Sequence, residues 1–156
     1  MNKHANMFAL AKTVAESSKD PSSKVGTVIV DEKYRVVTTG YNGFVAGCDE
    51  SKLSYQRPAK YLHIIHSEVN AILFAKRSLD NCMAFITHAP CVHCLKLLIQ
   101  SGVKQINYLE TELCSRFTKE EKQAIIDILL ACDYSDKVVS GSGVRYIDFL
   151  TRTEYV

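Results

Sequence analysis

The chain has 156 residues, 47% of them hydrophobic and 23% charged, with a formal net charge of +2, a profile that suits one soluble domain with its own core. Three prolines and seven glycines exclude collagen-like repeats and low-complexity disorder, and no apolar run approaches the ~20 residues that span a bilayer. The weak net charge makes no strong case for a nucleic-acid polymer as partner, and a small ligand fits as well.

Met1-Asn2-Lys3-His4 begins without an apolar export region, so the chain is expected to be cytoplasmic. Met7, Phe8, Leu10, Ala11, Val14 and Ala15 recur at helical spacing and predict an amphipathic helix over about 5–18, stopped at Asp20-Pro21. Val25 to Val30 and Arg35 to Tyr41 read as two strands of a hairpin around the polar turn 31–34. Asn42-Gly43 then signals a turn and opens an irregular stretch to about Lys60, long enough to be functional or mobile. Ser67 to Ser78 predicts the second helix, Cys82 to Thr87 a strand, and Pro90 the start of a third helix that ends at Gly102. Val103 to Leu109 is a further strand. Thr118 and Glu121 have capping-box spacing ahead of a fourth helix, and Val144 to Leu150 reads as the last strand. Strands that alternate with helices require crossovers, so the expected fold class is α/β in three layers. Its sheet is mixed and five-stranded, opened by the N-terminal hairpin, and residues 1–156 form one domain.

Six cysteines are present, and without an export signal they are expected to be reduced. Cys48, Cys82, Cys114 and Cys132 stand singly, where the default is a small buried hydrophobe. Cys91 and Cys94 form a C-x-x-C in Pro90-Cys91-Val92-His93-Cys94, at a helix start that favours thiolates. His66-Ser67-Glu68 opens the preceding helix in the same way. Two cysteines and His66 make a three-ligand zinc site with one position left for water, the catalytic rather than the structural count. Glu68, two residues from His66, is placed to take and return that water's proton. The competing redox reading of C-x-x-C requires a cis-proline after the motif, and no proline follows Pro90.

The H-x-E and P-C-x-x-C pair resembles the cytidine and deoxycytidylate deaminase superfamily. Within it, the deoxycytidylate (dCMP) deaminase subfamily is matched further by residues 18–26, by Gly40-Tyr41-Asn42-Gly43-Phe44, by residues 66–72 and by Gln100-Ser101-Gly102-Val103-Lys104. The resemblance implies a cytidine-deaminase-like fold and one catalytic Zn2+ on His66, Cys91 and Cys94, with Glu68 as proton shuttle. It also implies a sugar contact at Asn42 and a Thr87 carbonyl that faces the departing amino group. Such enzymes convert dCMP to dUMP for thymidylate synthesis. Many are hexamers activated by dCTP and inhibited by dTTP, which makes a homo-oligomer and nucleotide effectors, with Mg2+ on an effector, expectations here.

The sequence departs from the family at four places. Ser67 stands where alanine is usual, Glu112 where a substrate-side tyrosine is common, His88 where an apolar residue is usual, and His63 where an aromatic is frequent. His63 and His88 read as pocket lining or as incidental packing. Ser23 and Lys24 read as phosphate contacts or as a solvated turn, and His93 as structural or surface. Three alternatives stay open: dCTP as substrate, cytosine or adenine in RNA or single-stranded DNA, and a binding module that keeps zinc for stability alone.

Overall fold

The computed structural model describes residues 2–109 and 116–153. Asn2 caps α1 (Lys3–Ala15), its side chain accepting the Ala5 N–H at 3.2 Å. The β-branched runs that follow pair as an antiparallel hairpin, β1 (Gly26–Val30) and β2 (Val36–Tyr41). A loop holding one 3-10 turn (Glu50–Lys52) leads to α2 (Lys60–His63) and α3 (Ser67–Phe74). Next come β3 (Met83–Ile86), α4 (Val92–Gln100), β4 (Gln105–Tyr108) and α5 (Lys119–Ala131), then β5 (Val138–Ser140) and α6 (Tyr146–Thr153). The capping box before α5 forms as the spacing predicts: Glu121 N–H donates to Thr118 Oγ1 at 3.0 Å, and Thr118 N–H to Glu121 Oε1 at 3.2 Å.

The sheet order is β2-β1-β3-β4-β5. β1 runs antiparallel to both β2 and β3, whereas β3, β4 and β5 are parallel. Strand alternation then divides the core between the two faces. Val28, Val30, Met83 and Phe85 pack with Phe8 and Ala11 of α1. Ile29, Ala84, Ile86 and Ile106 pack with Ala71, Leu95, Leu98, Ile125 and Leu129. Each fully buried Leu or Ile contributes roughly 2 kcal/mol, so both helical layers are held by burial along β1 and β3. The expected three-layer α/β architecture is the one observed.

Two glycines set how near the helices lie. A Cβ on Gly26 would fall 2.1 Å from the Ala11 carbonyl oxygen, and one on Gly40 would fall 2.3 Å from that of Ser67. The start of α3 therefore rests directly on the hairpin, and α4 starts just past the carboxyl end of β3.

Three expectations are corrected. Residues 144–150 are not a strand: 144 and 145 lead into α6 and 146–150 are its first turns, with Tyr146, Ile147 and Leu150 buried at helical spacing. The fifth strand is the three-residue β5, too short to show a period. The second predicted helix ends at Phe74 rather than Ser78. Of the single cysteines, Cys82 is buried, Cys48 half-buried and Cys132 exposed, so the hydrophobic default holds for the first alone; Cys114 and Glu112 lie outside the described residues. No helix among the described residues is long and apolar enough to cross a membrane.

Candidate metal centre

His66 is the N-cap residue of α3 and Cys91 the N-cap residue of α4, and neither side chain caps its own helix. Both are left to point across the gap between the helices. His66 Nδ1 lies 3.4 Å from Cys91 Sγ and 3.4 Å from Cys94 Sγ, and the three donor atoms all fall within 4.8 Å of one another. Ligand bonds of about 2.3 Å to sulfur and about 2.0–2.1 Å to nitrogen at tetrahedral angles give an S···N edge of about 3.6 Å. The cluster therefore fits Zn2+ with little adjustment. Cys94 is buried, Cys91 half-buried, and His66 open to the cavity.

The charges agree with that fit. The Cys91 thiol is pulled down to about 4, first by a hydrogen bond from Cys94 and then, against burial, by His66. Cys94 is pushed well up by the same hydrogen bond to Cys91 and by burial. Two thiols this close keep one proton between them until a cation replaces it. His66 is raised, chiefly by its hydrogen bond to Cys91. Burial raises Glu68, with the Cys91 charge adding to it, so a buried carboxyl group that favours its protonated form stands beside the three donors.

A cavity of about 490 Å³ opens on this cluster, within the range of small-ligand sites. Of the residues singled out from sequence, Ser23, Asn42, His66, Glu68, His88 and Cys91 line it. Lys24 and Thr87 line a smaller neighbouring hollow with His88. Thr87 Oγ1 accepts the Gly26 N–H at 3.1 Å and lies 2.7 Å from His88 Nδ1. His63 lines neither space, and its Nδ1 accepts the Ser54 N–H at 3.1 Å. Asn42 is almost fully committed: Oδ1 accepts from Val25 N–H at 2.8 Å, and Nδ2 donates to the Ser23 carbonyl at 2.8 Å. One lone pair of Oδ1 is left for a ligand hydroxyl. His88 is held neutral, its pKa lowered to about 4 by burial and by Arg116.

Sequence reasoning missed the basic side of the cavity. Arg57, Lys60 and Arg116 line it, as does His93, for which the sequence alone predicts a structural or surface role. Arg116 Nη1 donates to Ser23 Oγ at 3.2 Å, and Arg57 lies over the Tyr61 ring. No periodic signal marks single cations in irregular segments or at the start of a four-residue helix.

The family profile described as the cytidine and deoxycytidylate deaminase zinc-binding region matches residues 1–110. A protein of Aliivibrio fischeri, named as a deaminase in the luxG 3′ region, is 43% identical over 99 residues, which is 64% of this chain and 67% of that protein. A probable deoxycytidylate deaminase of Caenorhabditis elegans is 37% identical over 127 residues, 77% of this chain and 64% of that protein. The chain thus spans about two thirds of the length of these relatives, and 61% of the human deoxycytidylate deaminase. Among solved structures, dCMP deaminase from the cyanophage S-TIM5 superposes with a TM-score of 0.65 at 24% identity, covering 88% of this chain and 95% of that one. That likeness shows a shared fold.

Proposed function

We propose that this chain, which belongs to the cytidine and deoxycytidylate deaminase family, hydrolytically removes the exocyclic amino group of a deoxycytidine nucleotide, dCMP before dCTP. The products are the uracil nucleotide and ammonia. The observation that carries the reading is the convergence of His66, Cys91 and Cys94 on one point of a cavity wall that also carries Glu68. His66, Cys91 and Cys94 would hold Zn2+, which when bound supplies the Lewis acidity that brings a water's pKa toward neutrality.

Glu68 does the proton work. Its carboxylate takes one proton from the attacking water and gives it to ring N3. It then passes the second to the amino nitrogen, which leaves C4 as ammonia while oxygen stays on C4. Burial favours the protonated form of Glu68, and so makes its carboxylate a stronger base than one in water. Asn42 offers its remaining lone pair to the sugar, and His88, kept neutral, adds no charge beside the base. Thr87 lines the neighbouring hollow, and in this proposal its backbone carbonyl, just past β3, would face the leaving amino group from there.

Two features support a nucleotide over a nucleoside. Lys60 is neutralised by Asp20 at 2.6 Å, but among the described residues no ion pair engages Arg57 or Arg116. Two guanidinium groups on a cavity wall without a carboxylate partner among the described residues suit a phosphate. The relative named as a probable deoxycytidylate deaminase points the same way. Ammonia release measured over dCMP, dCTP, CMP, deoxycytidine and a cytosine oligonucleotide tests the reading, with dCTP and dTTP added separately as effectors and with light scattering for subunit number. Turnover is expected to be highest on dCMP. Release from the oligonucleotide alone, or from no cytosine compound, overturns it.

A further inference from the structure

We infer that Ser67, backed by Thr27, is a positioning residue for Glu68: two buried hydroxyls form a hydrogen-bonded chain that fixes one carboxylate oxygen and turns the other toward the cavity. The inference rests on the proposed role of Glu68 as proton carrier.

Ser67 Oγ donates to Glu68 Oε1 at 2.8 Å, and Thr27 Oγ1 lies 2.8 Å from Ser67 Oγ. Ser67 and Thr27 are wholly out of water, and Glu68 is 4% exposed. A hydroxyl has a single proton to give. Ser67 gives its own to the carboxylate, so the Thr27 proton points to Ser67 and the chain runs one way, from sheet to helix to carboxylate.

The base of this chain is stiff. Thr27 sits inside β1, paired in register with Gly40 of β2 on one side and Ile86 of β3 on the other, and its β-branched side chain has restricted χ1 freedom. The absent Cβ of Gly40 lets the Ser67 backbone settle against the hairpin, within reach of Thr27. Glu68 has three side-chain torsions, and a proton carrier must keep its oxygens placed to within a fraction of an ångström. Burial alone does not fix those torsions, whereas a short hydrogen bond to one oxygen does. A serine that served only the helix start would occupy the cap position, which belongs to His66.

The test uses the zinc-loaded full chain in four forms: Ser67→Ala, Thr27→Val, Thr27→Ser and the Ser67→Ala/Thr27→Val double variant. Losing one hydrogen bond to the carboxylate is expected to lower kcat about tenfold in Ser67→Ala, with KM and zinc content unchanged. Thr27→Val is expected to lose less, and Thr27→Ser, which keeps the hydroxyl, to recover that loss. The double variant is expected to be no slower than Ser67→Ala, because Thr27 acts through Ser67. Crystal structures of the zinc-loaded forms provide a readout independent of turnover, with Glu68 leaving its single conformer in Ser67→Ala. Additive losses in the double variant, or a Glu68 conformer unmoved in Ser67→Ala, overturn the inference. A wild-type chain that deaminates no cytosine compound overturns the proposed function instead, and the conformer of Glu68 still decides the positioning.

Discussion

The Lys60 ammonium lies 2.6 Å from the Asp20 carboxylate, and the two side chains are 6% and 0% exposed. The pair ties the short helix α2 to the turn after α1. Lys60 also donates to Ser22 Oγ at 3.0 Å, and Asp20 accepts the Ser22 N–H at 2.9 Å and the Ser23 N–H at 3.2 Å. Burial would push Asp20 up, but the hydrogen bonds from Lys60 and from these backbone amides together hold it below the usual carboxylate range. Stability from Asp20 is therefore present above its ordinary value of 3.8 and is lost as pH falls below it. Removing one partner leaves a buried charge alone. Asp20→Ala is expected to cost about 3–5 kcal/mol in urea unfolding, and the Asp20→Leu/Lys60→Met pair much less. A single substitution as mild as the double one would show that the charges are not coupled.

The contrast with this pair shows what could be read from sequence. His66, Glu68, Cys91 and Cys94 were legible because each motif is local, three to five residues long, and sits where a helix begins. The α5 cap was legible for the same reason. Asp20 and Lys60 meet across 40 positions of chain, and Arg57 and Arg116, 59 positions apart, line one cavity, so no local pattern announces either arrangement. The 144–150 segment failed for another cause. A short apolar run fits a strand or a buried helix alike, and only packing against α5 decides it. The hydroxyl of Ser67 was visible as a departure, but its partner Thr27 lies on a strand whose register the sequence does not state.

Zinc removal separates the metal's contribution from that of the core. The two apolar clusters do not depend on the cation, so a chelated sample is expected to keep its far-ultraviolet circular dichroism while its Tm falls and ammonia release stops. Added Zn2+ should restore both, and Mg2+ neither. Cys91→Ala and Cys94→Ala are each expected to bind well under one zinc per chain by atomic absorption. Full zinc retention in either would remove that thiol from the ligand set.

Glu68→Gln keeps the shape of the side chain and takes away its basicity. Because Glu68 is not among the three clustered donors, zinc content is expected to stay at the wild-type level while kcat on dCMP falls by about 10²–10⁴. A variant within a few-fold of wild type would assign the proton work to another group.

Arg57→Ala and Arg116→Ala test the phosphate side of the cavity. Each is expected to raise KM for dCMP about tenfold while leaving the slow reaction of deoxycytidine unchanged, since the nucleoside offers no anion to either guanidinium. Equal effects on nucleotide and nucleoside would mean that the arginines shape the cavity rather than read the phosphate.

His88 gives the fold a pH dependence of known sign. Burial, helped by Arg116, lowers its pKa from 6.5 to about 4, and its Nδ1 lies 2.7 Å from Thr87 Oγ1. With the imidazole proton on Nε2, Nδ1 accepts the threonine hydroxyl proton, and protonation of His88 breaks that arrangement. Below pH 6.5 the unfolded chain binds a proton that the folded chain refuses, so stability drops as pH falls from 6.5 toward 4, by up to about 3 kcal/mol. His88→Gln, which cannot titrate, is expected to lose this component. The wild-type-minus-variant difference in urea-unfolding free energy should be flat above pH 7 and should shrink steadily below 6.5. A difference that stays constant from pH 7.5 to 4.5 would show that the folded protein holds the imidazole in ordinary contact with water.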